Sequence, residues 1–136
     1  MIPVDAGPLI ALGNRRDPDH ERYRDVLSHV QKPLLVPTTV VAEVSHLLGD
    51  RVGPQADAAF LGSFGADAFT IASVTTVDLL RAAELVEQYA DLPLGGVDAS
   101  IVALAERLQL HEVATLDRRL FSVVRAHHAE AFTLLP

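Results

Sequence analysis

The sequence contains neither cysteine nor tryptophan, and Lys32 is its single lysine. Without cysteine there are no disulfide bonds and no thiolate zinc sites, which fits a reducing compartment. No apolar run approaches the roughly 20 residues that span a bilayer, and Asp5 comes too early for a secretory signal. We therefore expect a cytoplasmic protein with no membrane association.

Positive charge is also scarce, with 11 Lys and Arg against 18 Asp and Glu and a formal net charge of −7. This balance argues against a protein that grips nucleic acid mainly through its phosphates. No glycine-rich phosphate-binding motif is present, so nucleotide cofactors have no support.

With 136 residues, 49% of them hydrophobic, the chain can bury a sizeable core. We expect one domain over residues 1–136.

Short apolar segments alternate with segments of helical periodicity. The predicted strands are Ile2–Val4, Leu34–Val36, Phe69–Ala72, Val113–Thr115 and Ala131–Leu134. The predicted helices are Leu9–Gly13, Asp19–Gln31, one capped by Thr38 or Thr39 that runs to about Leu48, Gln55–Phe64, one capped by Thr76 that runs to about Tyr89, and Asp98–Leu108. This alternation predicts an α/β fold, with a parallel sheet of about five strands and helices on both faces. In such sheets, ligands bind beyond the carboxyl ends of the strands.

Four acidic residues are placed where they can meet at that edge of the sheet. Asp5 follows the first strand and Asp117 follows the fourth. Glu43 lies at the border of the apolar stripe of its helix, and Asp98 lies on the inward face of its helix, in the first turn. Each acid alone has an ordinary structural explanation, as a helix cap, a loop acid or a boundary residue. These separate roles do not explain why all four acids are placed where they can meet at one edge of the sheet.

Carboxylates that point into one cleft repel each other and lose solvation, so they stay ionised only beside a positive charge. Mg²⁺ and Mn²⁺ are hard cations that prefer oxygen ligands. A metal held by carboxylates favours phosphoryl chemistry, because it activates water and stabilises charge on a phosphate. Such an ion would also let an acidic protein bind RNA, since it reverses the sign of the cleft.

Four segments of the sequence resemble the PIN domain, and more closely the VapC-type toxins of that family. They are Ile2–Asp5, Val40–Val44, Leu92–Ala99 and Val113–Phe121, of which the last two are the more specific. The resemblance covers nearly the whole chain. It implies a three-layer sandwich of helices and sheet and a Mg²⁺- or Mn²⁺-dependent endoribonuclease, with transfer RNA as the favoured substrate and ribosomal or messenger RNA left open. It also implies a homodimer, inhibited by a cognate VapB-type antitoxin whose tail occupies the active-site groove.

The resemblance also assigns roles to residues. By motif position, Asp5, Glu43, Asp98 and Asp117 correspond to the catalytic acids of the family. Asp5 and Asp98 match the acids usually assigned as direct metal ligands, and the other two would bind the ion directly or through water. Thr115 matches a small polar residue that often supports the site.

Three further positions bear on the substrate. Arg118 and Arg119 follow the last acid and are candidates, together with Thr115, for substrate binding, since an arginine can bind a phosphate. Gly7 departs from the family's pattern, because Ser, Thr or Asn is frequent two residues after the first acid. Metal binding should survive this change because the acids are intact, whereas the positioning of substrate is expected to differ.

Other functions on an α/β scaffold match less well. An aspartyl-phosphate phosphatase needs a second acid two residues after its nucleophile and a lysine that binds phosphate, but Gly7 occupies the first position and Lys32 precedes the second strand. A receiver-like signalling domain lacks its lysine after the last strand. The remaining alternative is a catalytically weak PIN scaffold that binds RNA or a protein partner, and the intact set of four acids speaks against it.

Overall fold

Short parallel strands form the central layer of the molecule in a computed structural model that describes residues 1–129 and 131–135. The strands are β1 (Ile2–Pro3), β2 (Leu34–Pro37), β3 (Phe69–Ala72), β4 (Glu112–Val113) and β5 (Thr133–Leu134). β2 lies between β1 and β3, while β4 pairs with β5, and every pairing is parallel. A parallel bridge between Val4 and Ala114 joins the two groups. The strand order is therefore β3-β2-β1-β4-β5, and the predicted α/β class with a five-stranded parallel sheet is confirmed.

The burial of the strands shows that the centre of the sheet is covered on both faces. All four residues of β2 are buried. Successive side chains of a strand point to opposite faces, so consecutive buried residues require a packed layer on each side. β3 lies at the edge of the sheet, and its residues Thr70 and Ile71 are exposed.

Helices connect the strands. They are α1 (Ala6–Gly13), α2 (His20–Ser28), α3 (Thr38–Arg51), α4 (Pro54–Gly62), α5 (Thr76–Gln88), α6 (Gly96–Leu108) and α7 (Arg118–Val123), with a short 3₁₀ turn at Ser63–Gly65. α1 begins three residues earlier than predicted, because Asp5 caps it and Pro8 fits the first turn, where a missing N–H costs nothing. In the described part of the chain, none of these helices has the length and apolar character needed to cross a membrane.

The predicted cap of α3 is wrong. Its N-cap is Pro37, and Thr38 and Thr39 already lie in the first turn. The side chain of Thr38 is used in a tertiary contact, since its Oγ1 accepts a hydrogen bond from Val74 N at 3.2 Å. Because Pro37 occupies the N-cap position, both threonines lie inside the helix, where their hydroxyls are not placed to cap its first turn.

The predicted cap of α5 is off by one residue, because Thr75 and not Thr76 is the N-cap. Thr75 Oγ1 accepts from Asp78 N at 3.3 Å, and Asp78 Oδ2 accepts from Thr75 N at 2.9 Å, which is a capping box. Asp78 is buried and also accepts from Arg107 Nε at 2.9 Å and Arg107 Nη2 at 3.0 Å. This bidentate pair fastens α5 to α6, the helix that carries Asp98.

Candidate active site

Asp5 and Asp117 lie at the carboxyl ends of neighbouring strands, as predicted. Asp5 N donates to Ala114 O at 2.9 Å, so the chain leaves β1 beside the point where it leaves β4. Each acid also caps the helix that follows it. Asp5 Oδ1 accepts from Ala6 N at 2.8 Å, and Asp117 Oδ1 accepts from Leu120 N at 3.0 Å. Asp117 is thus the cap that its ordinary explanation implies, whereas Asp5, for which the ordinary explanation is a loop acid, is also a cap; capping orients both carboxylates at the edge of the sheet.

Thr115 links these two acids. Its hydroxyl donates to Asp5 Oδ2 at 2.8 Å and accepts from Asp117 N at 3.0 Å. A threonine hydroxyl has one proton to donate, so the two bonds together determine its orientation. The exposed fraction of Thr115 is 0%, and its hydroxyl is used between the two acids. The structure therefore shows Thr115 supporting the acids, and a contact with substrate stays a prediction.

Asp98 and Glu43 are contributed by two different helices, and both are half-buried. α6 begins at Gly96 and not at Asp98 as predicted, which makes Asp98 the third helical residue. Its Oδ2 accepts from Gly95 N at 3.2 Å. Glu43 lies in the second turn of α3.

The four carboxylates interact electrostatically. Burial, followed by the charge of Asp5, raises the pKa of Asp98 to about 6, and Glu43 and Asp117 contribute in the same direction. Burial also raises the pKa of Asp5, against the hydrogen bonds that it accepts. Burial and the charge of Asp5 raise the pKa of Glu43. Interactions between charges weaken with distance and with solvent, so these four acids lie within electrostatic range of one another, and we refer to them together as the acidic cluster.

The chemistry of this cluster fits a hard divalent cation. Every side chain in it is a carboxylate, which offers the oxygen ligands that Mg²⁺ and Mn²⁺ prefer, and a cation would offset the repulsion that raises these pKa values. Within residues 1–129 and 131–135, no three His, Asp or Glu side chains converge tightly enough to enclose an ion by themselves. This is compatible with Mg²⁺, which is usually held by one or two carboxylates together with water and substrate phosphate.

A pair of hydroxyl groups joins the two helices that carry Glu43 and Asp98. Thr39 Oγ1 and Ser100 Oγ are 2.7 Å apart, and Ser100 Oγ donates to Val97 O at 2.6 Å. Thr39 lies one turn before Glu43, and Ser100 lies two residues after Asp98. The pair therefore restrains the separation of α3 and α6 beside the site.

Arg118 and Arg119 are both exposed, directly after Asp117. Arg118 Nη1 donates to Leu135 O at 2.8 Å, so this side chain also ties α7 to the end of the chain. The positions are compatible with contacts to phosphates, and that role stays a prediction.

The sequence analysis missed Tyr23. This residue shares the apolar stripe of α2 and is completely buried, yet its hydroxyl donates to Thr115 O at 2.9 Å. A buried tyrosine hydroxyl usually has a hydrogen-bond partner, and this was the one available signal in the sequence. That signal does not identify a partner 92 residues away.

The neighbourhood of Gly7 explains the departure from the family's pattern. A Cβ at this position would lie 3.0 to 3.2 Å from side-chain atoms of Leu116, which is tighter than normal packing. Leu116 thus takes up the space that a polar side chain on residue 7 would need.

Lys32 lies at the opposite edge of the sheet from the acids. Its Nζ donates to Glu112 Oε1 at 2.7 Å. Lys32 precedes β2 and Glu112 begins β4, so the pair marks the amino-terminal ends of the strands. Neither a phosphatase nor a receiver domain could use this lysine at the carboxyl edge.

The fold and the site together define a class: α/β proteins with a parallel sheet and an acidic, metal-compatible cluster at its carboxyl edge. The family model of the PIN domain matches residues 2–126. The chain belongs to the PIN-domain family.

Comparison with individual proteins gives the same result. The chain is 33% identical over 133 residues to Ribonuclease VapC26 of Mycobacterium tuberculosis, with 98% of each chain covered. Its structure is similar to that of Mycobacterium tuberculosis VapC20, a toxin that cleaves the sarcin-ricin loop, with a TM-score of 0.78, 21% identity and coverage of 83% of this chain and 87% of that one. It is also similar to VapBC2 of Rickettsia felis, solved with a promoter DNA fragment, with a TM-score of 0.69, 15% identity and full coverage of both chains. The resemblance to VapC-type proteins is confirmed.

Proposed function

We propose that this chain is the toxin of a type II toxin–antitoxin pair, an endoribonuclease that hydrolyses RNA phosphodiester bonds with a divalent metal ion. The observation that carries the proposal is the clustering of Asp5, Glu43, Asp98 and Asp117, which come from four distant segments. Helix capping explains Asp5 and Asp117 individually, but it does not explain why Glu43 and Asp98 lie beside them, since burial and the charge of Asp5 raise the pKa of both and such shifts cost stability at neutral pH. The 33% identity to a ribonuclease over nearly the whole chain supports the same activity.

In this proposal Asp5 and Asp98 bind Mg²⁺ or Mn²⁺ directly, and Glu43 and Asp117 bind it directly or through water. The ion, when bound, lowers the pKa of water and stabilises charge on the scissile phosphate. The protein's part is to hold the ligands in place. The Thr115 hydroxyl and a backbone N–H orient Asp5, and another backbone N–H orients Asp98.

Hydrolysis forms a bond from a water oxygen to phosphorus and breaks the bond from phosphorus to the leaving oxygen. The attacking water must also lose a proton. With Asp5 and Asp98 assigned as direct metal ligands, we assign this role to Glu43, because burial and the charge of Asp5 raise its pKa and a carboxylate with a raised pKa accepts a proton more readily. The leaving oxygen takes a proton from solvent. Arg118 and Arg119 are assigned to the flanking phosphates, where guanidinium groups bind well.

The proposed partner is a cognate VapB-type antitoxin whose tail covers the acidic cluster. The similar Rickettsia felis structure is a VapBC complex on promoter DNA, which supports such a pairing. An inhibitory segment that brings a cationic side chain to the cluster would offset the repulsion among its carboxylates. The proposal places the toxin in the cytoplasm, where its RNA substrates are found.

RNA cleavage is expected to require Mg²⁺ or Mn²⁺. The chain, after dialysis against EDTA, should leave a mixture of transfer and ribosomal RNA intact and should cut it once either ion is restored. In calorimetric titration with Mn²⁺, the original chain should release or absorb heat on binding, and the Asp5→Asn chain should show little. Equal heats for the two chains, with no cleavage, would instead favour the catalytically weak scaffold.

Transfer RNA is the proposed substrate. Sequencing of RNA 5′ ends after induced expression identifies the cut RNA directly. Cuts confined to ribosomal or messenger RNA would replace the substrate while retaining the nuclease. The absence of new 5′ ends, compared with the Asp5→Asn chain, would remove the nuclease proposal itself.

We also propose that the chain forms a homodimer through α5, whose first two turns expose three large apolar side chains. Val77, Leu79 and Leu80 are 68%, 55% and 66% exposed, and exposed apolar groups concentrated on one element mark contact surfaces. Light scattering at micromolar concentration should give twice the chain mass of 14.6 kDa. Leu80→Glu should give the monomer mass, whereas Leu61→Glu, a matched change on α4, should not. A monomeric original chain would contradict the proposal.

A further inference from the structure

Tyr23 forms a buried link between α2 and the acidic edge of the sheet. Its side chain has an exposed fraction of 0%, and its hydroxyl donates to Thr115 O at 2.9 Å across 92 residues of sequence. Packing alone does not need this oxygen, since a phenylalanine would fill nearly the same volume. A buried hydroxyl is retained at low cost only where it has a partner, and here the partner is the residue that joins two of the acids.

Thr115 forms hydrogen bonds through both its backbone carbonyl and its side-chain hydroxyl. Its carbonyl oxygen accepts from Tyr23, while its hydroxyl donates to Asp5 Oδ2 at 2.8 Å and accepts from Asp117 N at 3.0 Å. The Thr115 carbonyl belongs to the peptide group that leads to Leu116 and Asp117, so a rotation of that group would shift the Asp117 amide relative to the Thr115 hydroxyl. The link from Tyr23 opposes that rotation.

We infer that Tyr23 is a positioning residue of the acidic site, which fixes the Thr115 peptide so that its hydroxyl holds Asp5 and Asp117 in register. The inference rests on the proposed function, because that proposal assigns the four acids to metal binding and RNA hydrolysis. The hydroxyl is well suited to act as a donor, because burial raises the pKa of Tyr23 and keeps it protonated. No contact of Tyr23 with RNA or metal is implied.

The test is the Tyr23→Phe chain, with Tyr89→Phe as the matched control. The sequence has two tyrosines, and the hydroxyl of Tyr89 also bonds the backbone, since it accepts from Arg125 N at 3.0 Å. Each substitution therefore removes one hydroxyl and one bond to the backbone, but the bond of Tyr89 does not involve any of the four acids.

Three readouts are measured on each chain. Hydrogen exchange of the Asp117 amide should be about 10-fold faster in Tyr23→Phe, because the peptide that leads to this amide is no longer restrained and its bond to Thr115 Oγ1 opens more often. Outer-shell partners of metal ligands typically change affinity or activity by 10- to 100-fold. We therefore expect the Mn²⁺ dissociation constant to rise and kcat for RNA cleavage to fall by about 10-fold, at unchanged KM. The Tyr89→Phe chain should match the original in all three.

A double substitution shows whether Tyr23 acts through Thr115. If it does, Tyr23→Phe should add little to the loss of kcat already caused by Thr115→Val, because coupled residues are not additive. Additive losses, or an Asp117 amide exchange rate within twofold of the original in Tyr23→Phe, would overturn the inference. Faster exchange with unchanged kcat and Mn²⁺ affinity would also overturn it, because the role would then be structural only.

The failure of the proposed function has a different signature. If the original chain neither binds Mn²⁺ nor cuts RNA, the nuclease proposal fails, and the exchange rate of the Asp117 amide alone then decides whether Tyr23 holds Thr115. Should Tyr23→Phe not fold, 3-fluorotyrosine incorporated into the Tyr89→Phe chain leaves a single fluorine probe at residue 23. Its resonance should shift on Thr115→Val, and an unchanged resonance would contradict the link.

Discussion

The Asp5→Asn chain should cut RNA on the order of 10³-fold more slowly than the original chain, while remaining folded. Metal ions supply several kcal/mol of charge stabilisation to such transition states, and each 1.4 kcal/mol is about tenfold in rate. Asp5 is the most buried of the four acids, with 7% exposed, and its charge acts on both Glu43 and Asp98. Its removal therefore weakens the ligand set at its centre.

Asparagine removes the charge and keeps an oxygen for the cap, although its Nδ2 cannot accept the bond that Thr115 Oγ1 donates to Asp5 Oδ2. Asp5 caps α1 by accepting from Ala6 N, and asparagine is an equally good N-cap, whereas alanine would cost about 1 kcal/mol. Asp17→Asn is the matched control, since Asp17 Oδ1 also accepts from a backbone N–H, that of Asp19, at 2.8 Å. Single-turnover assays in saturating Mn²⁺ measure the loss, and thermal unfolding checks the fold. A loss of less than tenfold, or an equal loss in Asp17→Asn, would contradict a metal-ligand role.

Two of the four acids were predictable from the order of elements along the chain. Asp5 and Asp117 directly follow short apolar strands, and the ends of neighbouring parallel strands meet at one edge. Glu43 and Asp98 needed helical periodicity, which places a residue on a face without saying what that face contacts. The sequence thus predicted which acids belong to the cluster. The structure adds that the charge of Asp5 raises the pKa of Glu43 and Asp98.

The supporting contacts were not predictable, because they join residues that are distant in sequence and ordinary in type. From the sequence alone, Thr39 is a candidate helix cap and Ser100 is an ordinary polar residue of a helix. In the structure, their hydroxyl groups bond each other and hold α3 against α6. The proximity of Gly7 to Leu116 likewise depends on how the first turn of α1 packs against the loop after β4. A single sequence records the residue types in such pairs but not the pairing.

The cap errors have a related cause. Thr75 and Thr76 are chemically equivalent candidates, and the choice between them depends on which backbone turn is formed. Asp78 decides it, since a residue three positions after Thr75 completes the capping box. Its second role, the bidentate pair with Arg107, is tertiary and has no local signature.

In the presence of a chelator, the Asp98→Asn chain should be more stable than the original at pH 7.5, although we expect it not to cut RNA. The pKa of Asp98 is raised from 3.8 to about 6, by burial first and by the charge of Asp5 second. The folded state therefore binds this proton more tightly than the unfolded chain, and stability falls as the pH rises from about 4 to about 6. Above that window the original chain carries the whole penalty, which asparagine does not have.

We expect a gain on the order of 1 kcal/mol, because partial exposure of Asp98 screens its interactions and reduces the effect of the shift. For a chain of this size, that corresponds to a rise in Tm of about 3–6 °C. The hydrogen bond from Gly95 N can be kept by the asparagine oxygen, and Asp67→Asn, at an exposed loop position, serves as the control. At pH 4 the gain should vanish, and saturating Mg²⁺ at pH 7.5 should reverse the order, since a ligand stabilises only the state that binds it. If Asp98→Asn is instead the less stable chain in chelator at pH 7.5, the acids do not repel one another as the structure indicates, and the case for a cation among them loses its physical basis.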